Sequence, residues 1–328
     1  MVLTLVPFSD PVGEARRYAE TLAEAMTPHL ADRISAIQIA DAPTDRTDEQ
    51  ELVHWIIPSS PEAPFAPHPS GSPIFAVSLL PLAYEVIDNE RRQVLPDCVQ
   101  WIRPQLIFCT SEDDANCLYY AIDNGAEVHI VSPWAPEPPA DLSPIGPAPF
   151  VLCMITRDTP PDLAEEMVRA ADELPPSVRL VAACEGGEDG EPATLARRYS
   201  AERHVEHRVE IVTPDRADEI AGLALGAEAS VVGSPRVAGP WHGFLPLGCG
   251  RPLLAPALPI FRDVMLDGHC IRLVRAEERG HVGACLRALL SNPIGVAELR
   301  ERSAAYARSR TASAAAQAIL QAYRSTLT

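Results

Sequence analysis

Pro136-Glu-Pro-Pro-Ala-Asp-Leu-Ser-Pro-Ile-Gly-Pro-Ala-Pro149 runs directly into Phe150-Val-Leu-Cys-Met-Ile155. The first stretch holds little but proline, glycine and polar residues. Proline fixes φ and removes a backbone donor, so this stretch reads as a linker. The second is an unbroken apolar run of strand length, the pattern of a strand buried on both faces of a parallel sheet. The junction divides the 328 residues into two halves of ordinary domain length. The expected organisation is a domain over residues 1–140, a linker over 141–149 and a second domain over 150–328.

Working outward, apolar β-branched runs alternate with helical patterns on both sides. In the first half the expected strands are Val2–Val6, Ile34–Ala40, Ile74–Ser78, Leu106–Cys109 and Val128–Val131. Asp10 and Pro11 read as the cap and first residue of a helix whose Tyr18, Leu22, Ala25 and Met26 share one face. Ser111 and Asp114 read as a capping box for a helix through Tyr120. In the second half the expected strands are Phe150–Ile155, Val178–Ala183, Val209–Val212, Ser230–Gly233, Leu253–Pro256 and Ile271–Val274. Helical patterns cover Asp162–Leu174, Asp215–Ala227, Ala276–Leu290 and a final stretch Val296–Tyr323. Such alternation implies α/β architecture, two doubly wound, Rossmann-like domains.

Composition removes several functions. All 27 basic residues are arginine; there is no lysine. A Walker A lysine, a Schiff-base lysine and a lysine general base are therefore excluded. The net charge of −18 argues against nucleic-acid binding, which needs a basic face. No apolar run is long enough for a membrane span, and the first residues lack the basic flank of a signal peptide. The eight cysteines show no C-x-x-C spacing, which fits a reducing cytoplasm.

Val231-Val-Gly-Ser-Pro-Arg-Val-Ala-Gly-Pro-Trp-His-Gly-Phe-Leu-Pro-Leu-Gly-Cys-Gly-Arg-Pro-Leu-Leu-Ala-Pro256 resembles the donor-site region of the family-4 retaining glycosyltransferases, which have the GT-B fold. The likeness runs without a gap from Val232 to Ala255. Leu223–Ala227 resembles that family's preceding helix, and Leu258–Val264 its following segment. Val77-Ser-Leu-Leu-Pro-Leu-Ala-Tyr84 is similar to a stretch of its mannosyltransferase-like members, and Leu106–Ser111 to the strand after it. The resemblance implies two Rossmann-like domains facing a central crevice, with the final helix crossing back to the first domain. It also implies a nucleotide-sugar donor if the protein is active, with no other cofactor and no metal.

Seven positions that the resemblance marks for the site carry other residues here, and at five of them a polar group is replaced by Val, Leu or Pro. The histidine beside the transferred sugar falls on Val77, and the aspartate after it on Ser78. The Arg-Lys pair that neutralises the leaving diphosphate falls on Pro160 and Pro161. The glutamate that holds the sugar falls on Val237, and the one that accepts from the ribose hydroxyls on Leu245. The glycine that admits the diphosphate falls on Ile155. Apolar side chains neither donate to a diphosphate nor accept from a ribose, so these positions imply a scaffold without the family's ordinary activity.

Other residues have a functional and a structural reading. Gly13 follows the first strand, where the family has a glycine loop, although Val12 replaces the other glycine; it gives close backbone approach or is a tolerated small residue. Arg157 is a relocated phosphate contact or a loop arginine beside Asp158. Arg236 is an alternative phosphate contact. Trp241 and His242 face a sugar or partner, or pack the loop, with His242 capping the next helix. Arg251 is a phosphate contact or structural. His204 and His207 lack the i, i+4 spacing of a helical zinc pair. Glu185–Glu191 is an acidic surface loop. The final helix carries Arg300, Arg302, Arg308, Arg310 and Arg324 against Glu298 and Glu301; these arginines dock on the first domain or touch an anionic membrane peripherally.

Three expectations stand at this point. One is a non-catalytic partner or regulatory subunit, bound to an active glycosyltransferase or to its own copy. Another is an active hexosyltransferase with a rearranged donor site. The last is a small-molecule sensor.

Overall fold

The computed structural model describes residues 1–8, 13–30, 34–41, 51–57, 74–81, 104–121, 125–275 and 277–327. They form two compact units. One comprises Met1–Trp134 with Arg236–Gly239 and Arg310–Thr328; the other comprises Ala135–Pro235 with Pro240–Ser309.

The first unit is built on β1 (Val2–Pro7), β2 (Ala36–Ile39), β3 (Glu51–Ile57), β4 (Ile74–Leu79), β5 (Leu106–Cys109) and β6 (Glu127–Ile130). All pair in parallel in the order β2-β1-β3-β4-β5-β6. Alternation along the strands splits their side chains between two faces. Val53, Trp55, Ile57, Val77, Leu79, Ile107 and Cys109 form one core. On the opposite face β3 carries His54, and two helices cover it, Glu14–Met26 and Ala312–Thr326. The first buries Ala15, Tyr18, Ala19, Leu22 and Met26 at helical spacing.

The second unit contains β7 (Phe150–Ile155), β8 (Arg179–Cys184), β9 (Val209–Val212), β10 (Ala229–Val232), β11 (Leu253–Pro256) and β12 (Ile271–Val274). They pair in parallel in the order β12-β11-β10-β7-β8-β9. Counted within the unit this is the 3-2-1-4-5-6 order of dinucleotide-binding sheets, and its topological switch point lies between β7 and β10. Every residue of β7 is buried. Each such large apolar side chain contributes roughly 1.5–3 kcal/mol relative to exposure.

The proline-rich stretch is tied down. The Ile145 N–H donates to the Gly222 carbonyl at 3.0 Å. A Cβ on Gly248 would lie 1.8 Å from the Pro136 carbonyl oxygen, so the stretch crosses a helix where only hydrogen fits. The first segment of the first unit ends at Trp134, and residues 135–149 belong to the second unit.

Two expectations on elements are corrected. The final helix is two, Pro293–Ser309 and Ala312–Thr326. The break falls where Thr311 turns extended and its hydroxyl accepts from the Ala314 N–H at 3.1 Å, a new N-cap. A strand absent from the sequence reading, β3, sits inside the first sheet. The Asp10–Pro11 cap, Val12 and Leu82–Tyr84 lie outside the described residues. Among those described, no helix is long and apolar enough to cross a membrane.

Candidate functional site

In the second unit, the carboxyl ends of β7 and β10 are closed by a knot of hydroxyls. The chain turns after Ile155, and Thr159 reaches back. Its Oγ1 accepts the Thr156 N–H at 2.9 Å and lies 3.1 Å from the Thr156 hydroxyl. The Thr159 N–H returns to the Thr156 carbonyl at 3.0 Å. The Ser234 hydroxyl, just past β10, donates to Asp158 Oδ2 at 3.0 Å. A Cβ on Gly233 would lie 2.4 Å from Thr159 Cγ2. Thr156, Thr159 and Ser234 are all buried. The switch point is therefore bridged by short polar side chains and one carboxylate, a set without a cationic group among its members.

Pro160 and Pro161 follow directly. Pro161 is the first residue of the helix Pro161–Arg169, and Pro160 is its N-cap, with its carbonyl accepting from the Ala164 N–H at 2.9 Å. Proline suits that place because its fixed φ is helical and its missing N–H had no partner to lose. Ile155 is buried within the core of the second unit.

The other expected residues take structural places. The Arg157 N–H donates to Glu185 Oε2 at 3.0 Å, and its exposed guanidinium lies over Gly186. Arg251 donates to the Leu225 carbonyl near the end of the helix Ala217–Gly226, and burial lowers its pKa. His242 Nδ1 accepts the Phe244 N–H at 3.1 Å, just ahead of the short helix Leu245–Gly248; Phe244 is that helix's N-cap residue and no side chain caps its first turn. Trp241 and Leu245 are buried. His204 and His207 sit in turns after the helix Glu191–Glu202, both exposed, with His204 at φ 58. Among the described residues no group of three or more His, Cys, Asp or Glu is arranged for a metal.

In the first unit, Gly13 caps the helix Glu14–Met26 at φ +66 with open space where a Cβ would point. Glu14 is 2% exposed, and its Oε1 accepts the Val237 N–H at 3.1 Å. Arg236 is also 2% exposed. Val77 lies wholly in the core.

Behind that core runs a polar chain that sequence reasoning missed. His54 Nε2 lies 2.8 Å from the Ser78 hydroxyl, and its Nδ1 bonds the Tyr323 hydroxyl. Tyr18 hydrogen-bonds Ser78 from the first helix. All four side chains are buried. Burial pulls His54 down to about 3 and pushes both tyrosines up. His54 is thus a neutral imidazole, one ring nitrogen donating and the other accepting. The one signal in the sequence was a histidine within Leu52-Val-His-Trp-Ile-Ile57, an otherwise apolar run.

The two sheets and their carboxyl-end loops are similar in backbone to several solved structures. HepE of Anabaena, solved with UDP and glucose, matches with a TM-score of 0.64 at 14% identity, over 99% of each chain. Sucrose-phosphate synthase from Thermosynechococcus elongatus matches with a TM-score of 0.63 at 14% identity, over 100% of this chain and 99% of that one. WaaG, a glycosyltransferase involved in lipopolysaccharide biosynthesis, matches with a TM-score of 0.61 at 11% identity, over 97% and 98%. The chain has the GT-B fold. No family model matches it, and no curated protein matches it in sequence. At these identities the GT-B likeness concerns the backbone and leaves the chemistry to the side chains.

Proposed function

We propose that this GT-B protein is a non-catalytic, glycosyltransferase-like partner or regulatory subunit, derived from a mannosyltransferase-like, family-4 ancestor and working in cytoplasmic glycan or protein glycosylation. Its partner is an active glycosyltransferase or a second copy of itself. One observation carries the reading. Each position that the resemblance reserves for chemistry does a structural job: Val77 fills a core, Pro160 and Pro161 start a helix, and Val237 and Leu245 are buried. Diphosphate departure needs positive charge placed in advance. At the buried knot after β7 the side chains are Thr156, Thr159, Ser234 and the Asp158 carboxylate, and the guanidinium of Arg157 is turned out over Gly186. Titration of the purified chain with a panel of UDP-, GDP- and ADP-sugars, alongside hydrolysis and transfer assays, tests this. No binding and no turnover is the expected result; tight binding with turnover defeats it.

A second reading, an active transferase with a rearranged donor site, draws on Arg157, whose guanidinium is exposed at the carboxyl end of β7. It requires Arg157→Ala to abolish transfer.

A further inference from the structure

Residues 236–239 belong to the first unit although the residues on either side belong to the second. Arg236, Val237 and Ala238 are 2%, 1% and 4% exposed. The segment meets one helical turn at two points. The Val237 N–H donates to Glu14 Oε1 at 3.1 Å. Two residues on, Gly239 sits at φ +82, and a Cβ there would lie 2.9 Å from Arg17 Cδ and Nη1. Glu14 and Arg17 are one turn apart on the helix that follows β1.

We propose that Arg236–Gly239 is a strap fastened by the Glu14 carboxylate, a contact that covers the first turn of the helix Glu14–Met26 and opens as one piece. The helix N-terminus favours a carboxylate whether or not the strap is present. When the strap leaves, Glu14 passes from a buried acceptor to a hydrated carboxylate in the same favourable place, so the open state carries no stranded charge. Gly239 is the hinge, because a positive φ admits glycine without strain. The covered turn follows β1, at the carboxyl edge of a doubly wound sheet, the edge where such sheets receive ligands. The strap governs access there whether or not the second unit binds a nucleotide sugar.

Hydrogen exchange at the Val237 and Ala238 amides, with trypsin cleavage after Arg236, tests the strap on the full chain. In the native protein both amides exchange slowly and the Arg236–Val237 bond resists trypsin. Glu14→Ala removes the fastening, and Gly239→Ala strains the strap's other end at its positive φ with Glu14 intact. Each is expected to speed exchange at the two amides about tenfold or more and to admit trypsin at that bond, while amides of β7 stay protected. Native-like exchange in either folded variant overturns the proposal. If Glu14→Ala unfolds the first unit, Gly239→Ala alone decides.

Discussion

His54 Nε2 and the Ser78 hydroxyl stand 2.8 Å apart in the closed interior of a parallel sheet, joining neighbouring strands β3 and β4. The register between these strands shifts between Val53 and His54. The imidazole is fully buried, burial disfavours its charged form, and the protein's stability follows pH accordingly. The folded value near 3 lies below the ordinary 6.5. As pH falls below 6.5, the unfolded chain binds the proton first, so acid favours unfolding. Stability is expected to fall by up to about 1.4 kcal/mol per pH unit between those limits. Denaturant titrations from pH 7.5 to 4.5, followed by the fluorescence of the buried Trp55 and Trp134, read the slope. His54→Gln is expected to flatten it.

Tyr323 supplies the second partner of that imidazole from the last helix. Tyr323→Phe keeps the ring contacts with Phe75 and Phe108 but leaves a buried nitrogen unpaired. The cost is expected at about 1–3 kcal/mol. Tyr323→Ala adds a cavity and is expected to cost about 3–5 kcal/mol, with faster hydrogen exchange along Ala312–Thr326. Equal losses for the two variants would contradict this.

Thr311→Ala removes the cap that starts the last helix. Its loss is expected at about 1 kcal/mol, and Thr311→Asn restores most of it. Thermal melts of the three proteins provide the comparison.

Gly248→Ala places a methyl where the Pro136 carbonyl already is, at 1.8 Å. Backbone must move, and a loss of about 1–3 kcal/mol is expected, confined to the second unit. Exchange mapping along 135–145 locates the disturbance.

Thiol chemistry should follow burial. Burial pushes Cys184, Cys249 and Cys270 up to about 12 and Cys153 higher still. The thiolate is the nucleophile, so these thiols are expected to resist alkylation at pH 8 until the chain unfolds. Cys285 is partly exposed and less shifted, and is expected to react before these four. Mass spectrometry of timed iodoacetamide reactions orders them.

The second sheet was legible because its strands are short runs dominated by β-branched and other apolar residues: Phe150–Ile155, Val209–Val212, Leu253–Pro256 and Ile271–Val274 have the bounds expected of them. β3 escaped because His54 interrupts its middle. Unlike Glu210 and Arg272 in the strands that were read, His54 is buried, and the fold satisfies it with Ser78 and with Tyr323, 269 residues away. No local pattern carries such a partner. The Thr311 break was hidden for a related reason. The alanine-rich residues on both sides favour helix, and only the hydroxyl's bond to Ala314 decides against continuity. Of the site, the positions were readable but their uses were not. Pro161 is a helix start and Arg251 a carbonyl donor only once their neighbours are placed. Glu14 is one charge among many until Val237 arrives beside it.

Arg310–Thr328 and Arg236–Gly239 belong with Met1–Trp134, so the gene cannot be divided into two independently expressible halves at any single codon. A fragment stopping at Trp134 lacks Tyr323 and leaves His54 with a bare nitrogen in an apolar interior. Synthesis on the ribosome meets the same constraint. The first sheet emerges early, yet it stays incomplete until the last helix has been translated, and the second unit is finished before the first.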